Sequence, residues 1–341
     1  MEIVKNTEPT EPTEPTEPAK PVEPAKPVEP AKPTEPTEPT EPVEPTEYYI
    51  YVNAFWYGFI NKTDANNITI FENIFSKTFM RNFKITDNLN IANVLFESVF
   101  GPTLADIKIW RYKIFYSGEP YISNPDKYDV LLYSTETHKN VVDLPLYAVY
   151  IQNNNFMERI INRPVITKIP EKFCCFIVSN DACNTRNKMF HLLNSYKKVD
   201  SGGKYCNNIN YVIRHNYWSD EFRAFISNYK FIICFENHRL GTYSTEKIVN
   251  PYIAGSIPIY WSSKHIHKVF NRNSMLFLED ESVESYEKLM NEIIELDNDD
   301  AKYLEFINRP ILEDKDMKYY NDNYTVDAVA LKIDNVLLKS K

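Results

Sequence analysis

The sequence predicts an α/β protein with two domains. The apolar run at 172–180 (KFCCFIVSN) is typical of a strand that is buried on both faces of a parallel sheet. Residues 229–262 follow the order strand, helix, strand, which is the unit that builds parallel sheets. The chain has 341 residues, of which 43% are hydrophobic, and this is enough for two hydrophobic cores.

Residues 1–47 differ from the rest of the chain in composition. They repeat a Thr-Glu-Pro unit and hold 13 of the 22 prolines, and their 12 Glu and 4 Lys account for most of the net charge of −9. A proline at every third position matches the period of a polyproline II helix, so we expect a disordered, extended tail. The tail would act as a spacer or, alternatively, as a ligand for a proline-binding domain; its partner is not predicted.

Three segments are expected to fold after this tail. The sequence predicts one parallel-sheet domain at 48–160, a second at 168–310 and a C-terminal helical segment at 311–341. Between the two domains, an Asn-rich stretch and an Asn-Arg-Pro break at 153–168 indicate a linker. Apolar residues at helical spacing in 326–338 predict a final amphipathic helix.

The strand–helix–strand unit of the second domain carries a polar loop. Residues 231–235 predict the first strand and 257–261 the second, and the polar segment 236–241 follows the first strand. Ser244 or Thr245 is expected to cap the intervening helix. Ligands of parallel α/β proteins bind at the carboxyl ends of strands, so this loop is the predicted site.

The side chains on and just after this loop suit a nucleotide diphosphate. Lys247 supplies a cation, and Asn237 can both donate and accept hydrogen bonds. Tyr243 offers a ring that could pack on a sugar or a base, and Glu246 can accept hydrogen bonds from ribose hydroxyls. The alternative interpretation is a helix capping box flanked by solvated charges.

The same segment resembles the signature of a known enzyme family. The string C-F-E-N-x5-Y-x-T-E-K-I at 234–248, followed by A-G-x-I-P-I-Y-W at 254–261, is similar to the signature of the α1,3/4-fucosyltransferases. The resemblance covers about 48–308 and is strongest at 172–261. It implies a GT-B fold, in which two Rossmann-like domains face each other across a cleft. It also implies GDP-fucose as the donor, held by the second domain, with the first domain on the acceptor side.

The resemblance assigns roles to four residues of the signature and to one arginine. It implies that Asn237, Tyr243, Glu246 and Lys247 bind the donor. Arg186 lies near the start of a predicted helix, where a cation is disfavoured by the helix dipole unless an anion lies beside it. The family has an Arg-Asn pair here whose arginine clamps the pyrophosphate, so the resemblance implies this role for Arg186. A surface charge is the alternative.

Glu119 is the predicted catalytic residue. It follows a predicted strand and a Ser-Gly turn in the sequence KIFYSGEP. Inverting glycosyl transfer needs a general base to remove the proton from the acceptor hydroxyl, and a carboxylate held in a cleft can act as that base. The proposed base of the family lies in a matching context, which implies the same role for Glu119. An exposed turn residue is the alternative.

Several other classes of site are not expected. Neither of the glycine-rich phosphate-binding motifs occurs among the seven glycines. We do not expect a metal site, because His265 and His267 have no third ligand nearby in the sequence and donor sites of the GT-B type generally use basic residues instead of a divalent ion. The near-neutral charge of the body after the tail favours no nucleic-acid partner.

The expected location follows from two weak signals. No stretch has the apolar length of a signal peptide or a membrane span. The five cysteines form no CxxC pair, and Cys174, Cys175 and Cys234 lie in apolar runs, which favours buried free thiols. We therefore expect a soluble, cytoplasmic protein without a transmembrane segment.

Taken with the resemblance, these features predict an inverting glycosyltransferase. It would move L-fucose from GDP-fucose to a hydroxyl of a glycan or glycoconjugate acceptor, O3 of an N-acetylglucosamine-type residue, without an essential metal. Two alternatives remain open at this point: a GT-B transferase that uses another GDP-sugar, and a non-catalytic sugar-binding surface protein.

Overall fold

The computed structural model describes residues 47–120, 124–134 and 138–339. The predicted repeat tail at 1–47 therefore lies outside the described residues, apart from Glu47. Within the described ranges the chain forms two sheets in which all strand pairs are parallel. The predicted α/β class with two parallel sheets is confirmed.

The first sheet has six strands and lies in the N-terminal half of the body. Its strand order is β2-β1-β3-β4-β5-β6, and α1 (Thr69–Lys77) connects β1 to β2. The strands are β1 (Tyr48–Asn53), β2 (Phe83–Thr86), β3 (Val94–Glu97), β4 (Tyr112–Tyr116), β5 (Val130–Leu132) and β6 (Val141–Val142).

The predicted linker at 153–168 is partly helical. Helix α2 (Leu146–Asn153) leads directly into α3 (Phe156–Ile161). Phe156 and Ile160 are one helical turn apart and both are buried, so this segment has an apolar face to pack. The sequence interpretation missed α3 because asparagines and an Asn-Arg-Pro break dominate the local composition.

The second sheet has five strands in the order β11-β10-β9-β7-β8. Its strands are β7 (Lys172–Phe176), β8 (Val199–Ser201), β9 (Tyr229–Ile233), β10 (Ile257–Tyr260) and β11 (Leu276–Phe277). The accompanying helices are α4 (Asn184–Tyr196), α5 (Asp220–Ile226), α6 (Val249–Ala254), α7 (Val283–Asn298) and α8 (Asp300–Ile307). Cys174, Cys175 and Cys234 are buried free thiols, as predicted.

The C-terminal helices α9 (Asp314–Tyr324) and α10 (Val326–Lys339) follow α8. Helix α10 returns to the first sheet and packs on α1, with Val329, Ile333 and Leu337 buried at helical spacing. The backbone N–H of Phe79 donates to Asp334 across this contact at 3.2 Å. The domain bounds 48–160, 168–310 and 311–341 stay predictions.

Helix α6 begins later than the sequence predicts. Its first residue is Val249, and neither Ser244 nor Thr245 caps it. The reason is that the Thr245 N–H and hydroxyl donate to the carboxylate of Glu236 instead. The helix ends as expected at Gly255, whose φ of +77° favours glycine.

Candidate active site

A cavity of the second sheet lies at the carboxyl ends of β7 and β9. Its volume is about 440 Å³, and its lining includes the segment that follows β7 and the loop that follows β9. This is the edge at which parallel α/β proteins bind their ligands. Four of the five predicted donor-binding residues line it: Arg186, Asn237, Glu246 and Lys247.

Arg186 is a buried cation that no carboxylate in the described part of the chain pairs with. Only 2% of the residue is exposed. Its Nη1 donates to Asn237 Oδ1 at 2.7 Å and its Nη2 donates to the Asn180 carbonyl at 3.1 Å, whereas Nε has no partner among the described residues. Burial lowers the pKa of the Arg186 guanidinium. A buried positive charge held by neutral groups is suited to bind an anion, because the anion supplies the missing opposite charge.

Lys247 is the second cation of this cavity. Its Nζ lies 3.3 Å from Glu236 Oε2, 3.0 Å from Thr245 Oγ1 and 3.9 Å from Glu246 Oε1. Burial alone would lower the pKa of the Lys247 ammonium, but the two carboxylates outweigh it and raise the pKa. Lys247 therefore carries its positive charge at neutral pH.

Glu236 is a buried partner of Lys247 that the sequence interpretation missed. It is fully buried, and its carboxylate accepts hydrogen bonds from Thr245 N at 2.7 Å, Thr245 Oγ1 at 2.8 Å and Tyr260 Oη at 2.7 Å. Together with Lys247 these contacts fix the loop after β9. A signal was present, because an acidic residue directly after an apolar strand is a candidate buried partner for a nearby lysine.

Glu246 and Tyr243 differ in their access to the cavity. The Glu246 side chain is 16% exposed and lines the cavity, and burial raises the pKa of its carboxyl although Lys247 opposes the shift. Tyr243 is 4% exposed and is absent from the cavity lining in the described ranges; burial raises the pKa of its phenol. The structure thus brings Glu246 to the site and leaves the Tyr243 ring outside the cavity.

Glu119 lines a second, smaller cavity. It follows β4, and the hydroxyl of Ser117 accepts from the Glu119 N–H at 3.1 Å and donates to the Glu119 carbonyl at 3.0 Å. The volume of this cavity is about 200 Å³. Tyr217 lines both cavities, so they adjoin at this ring. The predicted base and the predicted donor site are therefore neighbours.

Backbone contacts tie the loop after β9 to the first half of the body. The Thr242 N–H donates to the Ser134 carbonyl at 2.9 Å, and the Tyr147 N–H donates to the Ser244 carbonyl at 3.3 Å. These bonds join the sheet that carries Glu119 to the loop that carries Lys247. The position of the two cavities relative to each other is thereby fixed.

The described residues contain neither a cluster of metal-ligating side chains nor a helix of membrane-spanning length. No group of three or more histidine, cysteine, aspartate or glutamate side chains is arranged to hold a metal ion. His265 instead contacts the hydroxyls of Tyr324 and Tyr319 at 3.0 and 3.1 Å. No helix in these ranges has the length and apolar character needed to cross a membrane.

The fold is of the GT-B type, and a cavity lined by the cations Arg186 and Lys247 lies in its second sheet. Structures of an α1,3-fucosyltransferase share this fold. The structure with GDP has a TM-score of 0.65 at 20% sequence identity, covering 89% of this chain and 94% of that chain. The structure with GDP-fucose has a TM-score of 0.63 at 21% identity, covering 88% and 94%.

Sequence comparisons match this chain to one enzyme family. Residues 168–319 match the family model of the C-terminal part of glycosyltransferase family 10 (fucosyltransferase). The α-(1,3)-fucosyltransferase FucT of Helicobacter pylori is 29% identical over 230 residues, covering 64% of this chain and 44% of that protein. The protein named R654 of Acanthamoeba polyphaga mimivirus is 29% identical over 259 residues, which cover 73% of this chain and 40% of that protein. The chain thus spans about two fifths of the length of these curated relatives.

Proposed function

We propose that this chain is an inverting fucosyltransferase that uses GDP-fucose. The observation that carries the proposal is the arrangement of charge around Tyr217. Arg186 and Lys247 line the cavity on one side of this ring, and Glu119 lines the cavity on the other side. A doubly charged leaving group needs cations, and the attacking hydroxyl needs a base, so the two cavities match the two halves of the reaction.

The donor half of the reaction uses the larger cavity. Arg186 and Lys247 bind the pyrophosphate and offset the negative charge that grows on GDP as the bond to fucose breaks. Asn237 is held by Arg186 at 2.7 Å and orients the donor with it. Glu246 accepts hydrogen bonds from hydroxyls of the ribose or the sugar. Tyr243 remains in the proposal as a buried support for this loop.

The acceptor half uses Glu119. Its carboxylate takes the proton of the acceptor hydroxyl while the hydroxyl oxygen attacks the anomeric carbon of fucose. The bond between that carbon and the phosphate oxygen breaks on the opposite face, and GDP leaves with the electron pair. The anomeric centre is inverted. We propose O3 of an N-acetylglucosamine-type residue as the attacking group, which would give an α1,3 linkage.

No divalent ion takes part in this mechanism. Arg186 and Lys247 supply the charge that a metal would otherwise bring to the pyrophosphate. Transfer is therefore expected to persist after dialysis against EDTA. Complete loss of transfer, restored by added magnesium or manganese ions, would contradict this part of the proposal.

Donor competition tests the proposed function. Purified protein is incubated with N-acetyllactosamine and either GDP-fucose or GDP-mannose, and the product is analysed by mass spectrometry and NMR. We expect transfer from GDP-fucose to O3 of the N-acetylglucosamine ring. Turnover of GDP-mannose alone would assign a different donor.

A single variant separates catalysis from binding. Glu119→Gln is expected to lower kcat at least 1,000-fold, an order-of-magnitude estimate for loss of a general base. GDP affinity, measured by calorimetry, should stay within about threefold of the wild type, because Glu119 lies outside the donor cavity. Wild-type protein that binds GDP yet never transfers would favour the non-catalytic sugar-binding alternative.

A further inference from the structure

The cavity beside Glu119 contains a second carboxylate, Asp64. This residue follows β1, and its Oδ1 accepts a hydrogen bond from the Asn66 N–H at 2.8 Å. No lysine, arginine or histidine of the described chain forms an ion pair with it. Burial raises the pKa of the Asp64 carboxyl, against the opposing effect of hydrogen bonds from Asn66 and Trp56. A half-buried carboxylate with no cation needs other donors to compensate its lost hydration.

Asn66 gives an independent indication of a ligand. It lines the same cavity and is 2% exposed. Its Nδ2 donates to Tyr217 Oη at 2.9 Å, whereas its Oδ1 has no partner within the described ranges. Buried amide oxygens are rarely left unpaired, so this atom points to a donor that the chain itself does not supply.

The two cavities carry opposite charges. The larger cavity has the cations Arg186 and Lys247 and the single carboxylate of Glu246 in its lining, whereas none of the residues that line the smaller one is a lysine, arginine or histidine. Asp64 and Glu119 instead give the smaller cavity two carboxylates. An anionic group placed there would meet both carboxylates without a compensating cation. Hydroxyl groups, by contrast, would donate to them.

The size of the smaller cavity limits what can fill it. A volume of about 200 Å³ lies below the range of roughly 300–1,000 Å³ that is usual for drug-sized ligands. It suits a single sugar ring, with the remainder of a glycan outside. Trp56 and Phe100, whose rings are 5.6 Å apart, add apolar surface for the face of such a ring.

We propose that this cavity binds one neutral sugar ring of the acceptor, and that Asp64 determines its specificity by accepting hydroxyl hydrogen bonds and repelling acidic sugars. The proposal rests on the proposed fucosyltransferase function and extends it from the base to the recognition of the ring that is modified. Asp64 acts in acceptor binding and not in proton transfer. Asn66 and Tyr217 complete the wall towards the donor.

The experiment compares Asp64→Asn with the wild type and with Asp327→Asn, a matched change at an exposed carboxylate of α10. The acceptors are N-acetyllactosamine and its 6-sulfated form, which carries an anion on the N-acetylglucosamine ring. We expect Asp64→Asn to raise the KM for N-acetyllactosamine about tenfold. The ratio of kcat/KM for the neutral acceptor to kcat/KM for the sulfated acceptor should fall about tenfold. The KM for GDP-fucose and the rate of GDP-fucose hydrolysis should stay within twofold.

Two outcomes would overturn the proposal. One is that Asp64→Asn keeps both its KM for N-acetyllactosamine and its preference for the neutral over the sulfated acceptor within twofold of the wild type. The other is a change confined to the KM for GDP-fucose, which would place Asp64 on the donor side. If Asp64→Asn unfolds, as judged by its melting temperature, Asp64→Ser is measured in its place, because a serine hydroxyl can still accept from the Asn66 N–H.

Failure of the proposed function gives a different result. In that case the wild type shows neither transfer from GDP-fucose nor its hydrolysis. Binding of N-acetyllactosamine to the GDP-loaded protein is then followed by saturation-transfer NMR. A signal in the wild type that is lost in Asp64→Asn supports the neutral-sugar site without the reaction, and equal signals in both proteins reject the site.

Discussion

The hydroxyl of Thr242 donates a hydrogen bond to the carboxylate of Asp143, which follows β6 in the first sheet. Tyr324 Oη, at the end of α9, donates to the other oxygen of this carboxylate at 2.7 Å. Asp143 thus holds the loop after β9 and the C-terminal helices to the first sheet at one point. The loop carries Asn237 and leads into Glu246 and Lys247, so the proposed donor site is positioned from both halves of the body.

Thr242→Val removes this hydroxyl and keeps the shape of the side chain. The Thr242 N–H retains its bond to Ser134, so we expect the fold to survive. A lost hydrogen bond to a carboxylate costs about 1.5–3 kcal/mol, and we expect the KM for GDP-fucose to rise about tenfold with a smaller change in kcat. Thr242→Ser is the control and should restore the wild-type KM. Equal kinetics for the valine and serine variants would show that the hydroxyl does not position the loop.

Glu236 and Lys247 form an ion pair beside the proposed donor cavity, with 3.3 Å between Nζ and Oε2. Glu236→Gln replaces one acceptor oxygen by an N–H group that faces other donors, namely the Thr245 N–H and hydroxyl. Breaking a fully buried pair costs about 3–5 kcal/mol. The Lys247 side chain is 28% exposed, so we expect a loss of about 2–3 kcal/mol in the free energy of unfolding.

Urea denaturation measures this loss. The control is Glu279→Gln, which alters a more exposed carboxylate that pairs with Arg272 and Lys264. It should change the free energy of unfolding by less than about 1 kcal/mol. A Glu236→Gln variant as stable as the Glu279→Gln variant would mean that the buried carboxylate does not organise the loop.

The contacts of Glu236 also show how far the sequence alone leads. Alternating strands and helices predict that the segments after β7 and β9 share one edge, and this edge does bring Arg186 and Asn237 together at 2.7 Å. The sequence does not show which polar side chains turn inwards. Thr245 was expected to cap α6 but bonds to Glu236, and the Tyr243 ring was expected to face the ligand but is buried. Such choices depend on partners that only the folded chain supplies.

Asp64 was missed for a related reason. It lies in a polar stretch after β1 that has no strand or helix period, and it lines the same cavity as Glu119 because β1 and β4 both end at the same edge of the first sheet. The strand order places β3 between them, and a single sequence does not reveal that order. The residues of the donor cavity, by contrast, lie close together in the signature and could be found from it.

The burial of His267 predicts that the free energy of unfolding depends on pH. Its ring contacts Phe277 at 4.4 Å between centroids, and neither ring nitrogen has a hydrogen-bond partner in the described ranges. Burial lowers the pKa of His267 to about 4; the nearby cations Arg272, Lys264 and Arg239 add to the shift, and Glu279 opposes it. The unfolded chain therefore binds a proton near pH 6.5, where the folded chain does not.

The stability that neutral His267 contributes is present above about pH 6.5 and is lost as the pH falls towards 4. In His267→Phe, which keeps an aromatic ring against Phe277, this loss should be absent. After allowance for solvent screening, the wild type should lose about 1–2 kcal/mol relative to the variant between pH 7 and pH 4.5. Melting temperatures of both proteins across this range measure the difference. Parallel curves would show that His267 titrates normally in the folded state.

Gly203 packs directly against the backbone of Val178, a residue that lines the proposed donor cavity. A Cβ at this position would lie 2.0 Å from the Val178 carbonyl oxygen and 2.3 Å from the Val178 nitrogen, and Val178 lines the cavity. Because both atoms belong to the backbone, Gly203→Ala must displace the segment that follows β7. We expect a loss of about 2–3 kcal/mol in the free energy of unfolding and at least a tenfold weaker affinity for GDP.

Gly101→Ala is the matched control, because a Cβ there would meet only Ala54, with its Cβ at 3.2 Å. Its free energy of unfolding should change by less than about 1 kcal/mol and its GDP affinity should not change. Calorimetric titration with GDP and urea denaturation of both variants give the two quantities. If Gly203→Ala lost stability but bound GDP like the wild type, the segment after β7 would not contact the nucleotide. The larger cavity would then be a donor site formed by Arg186 and the loop after β9 alone.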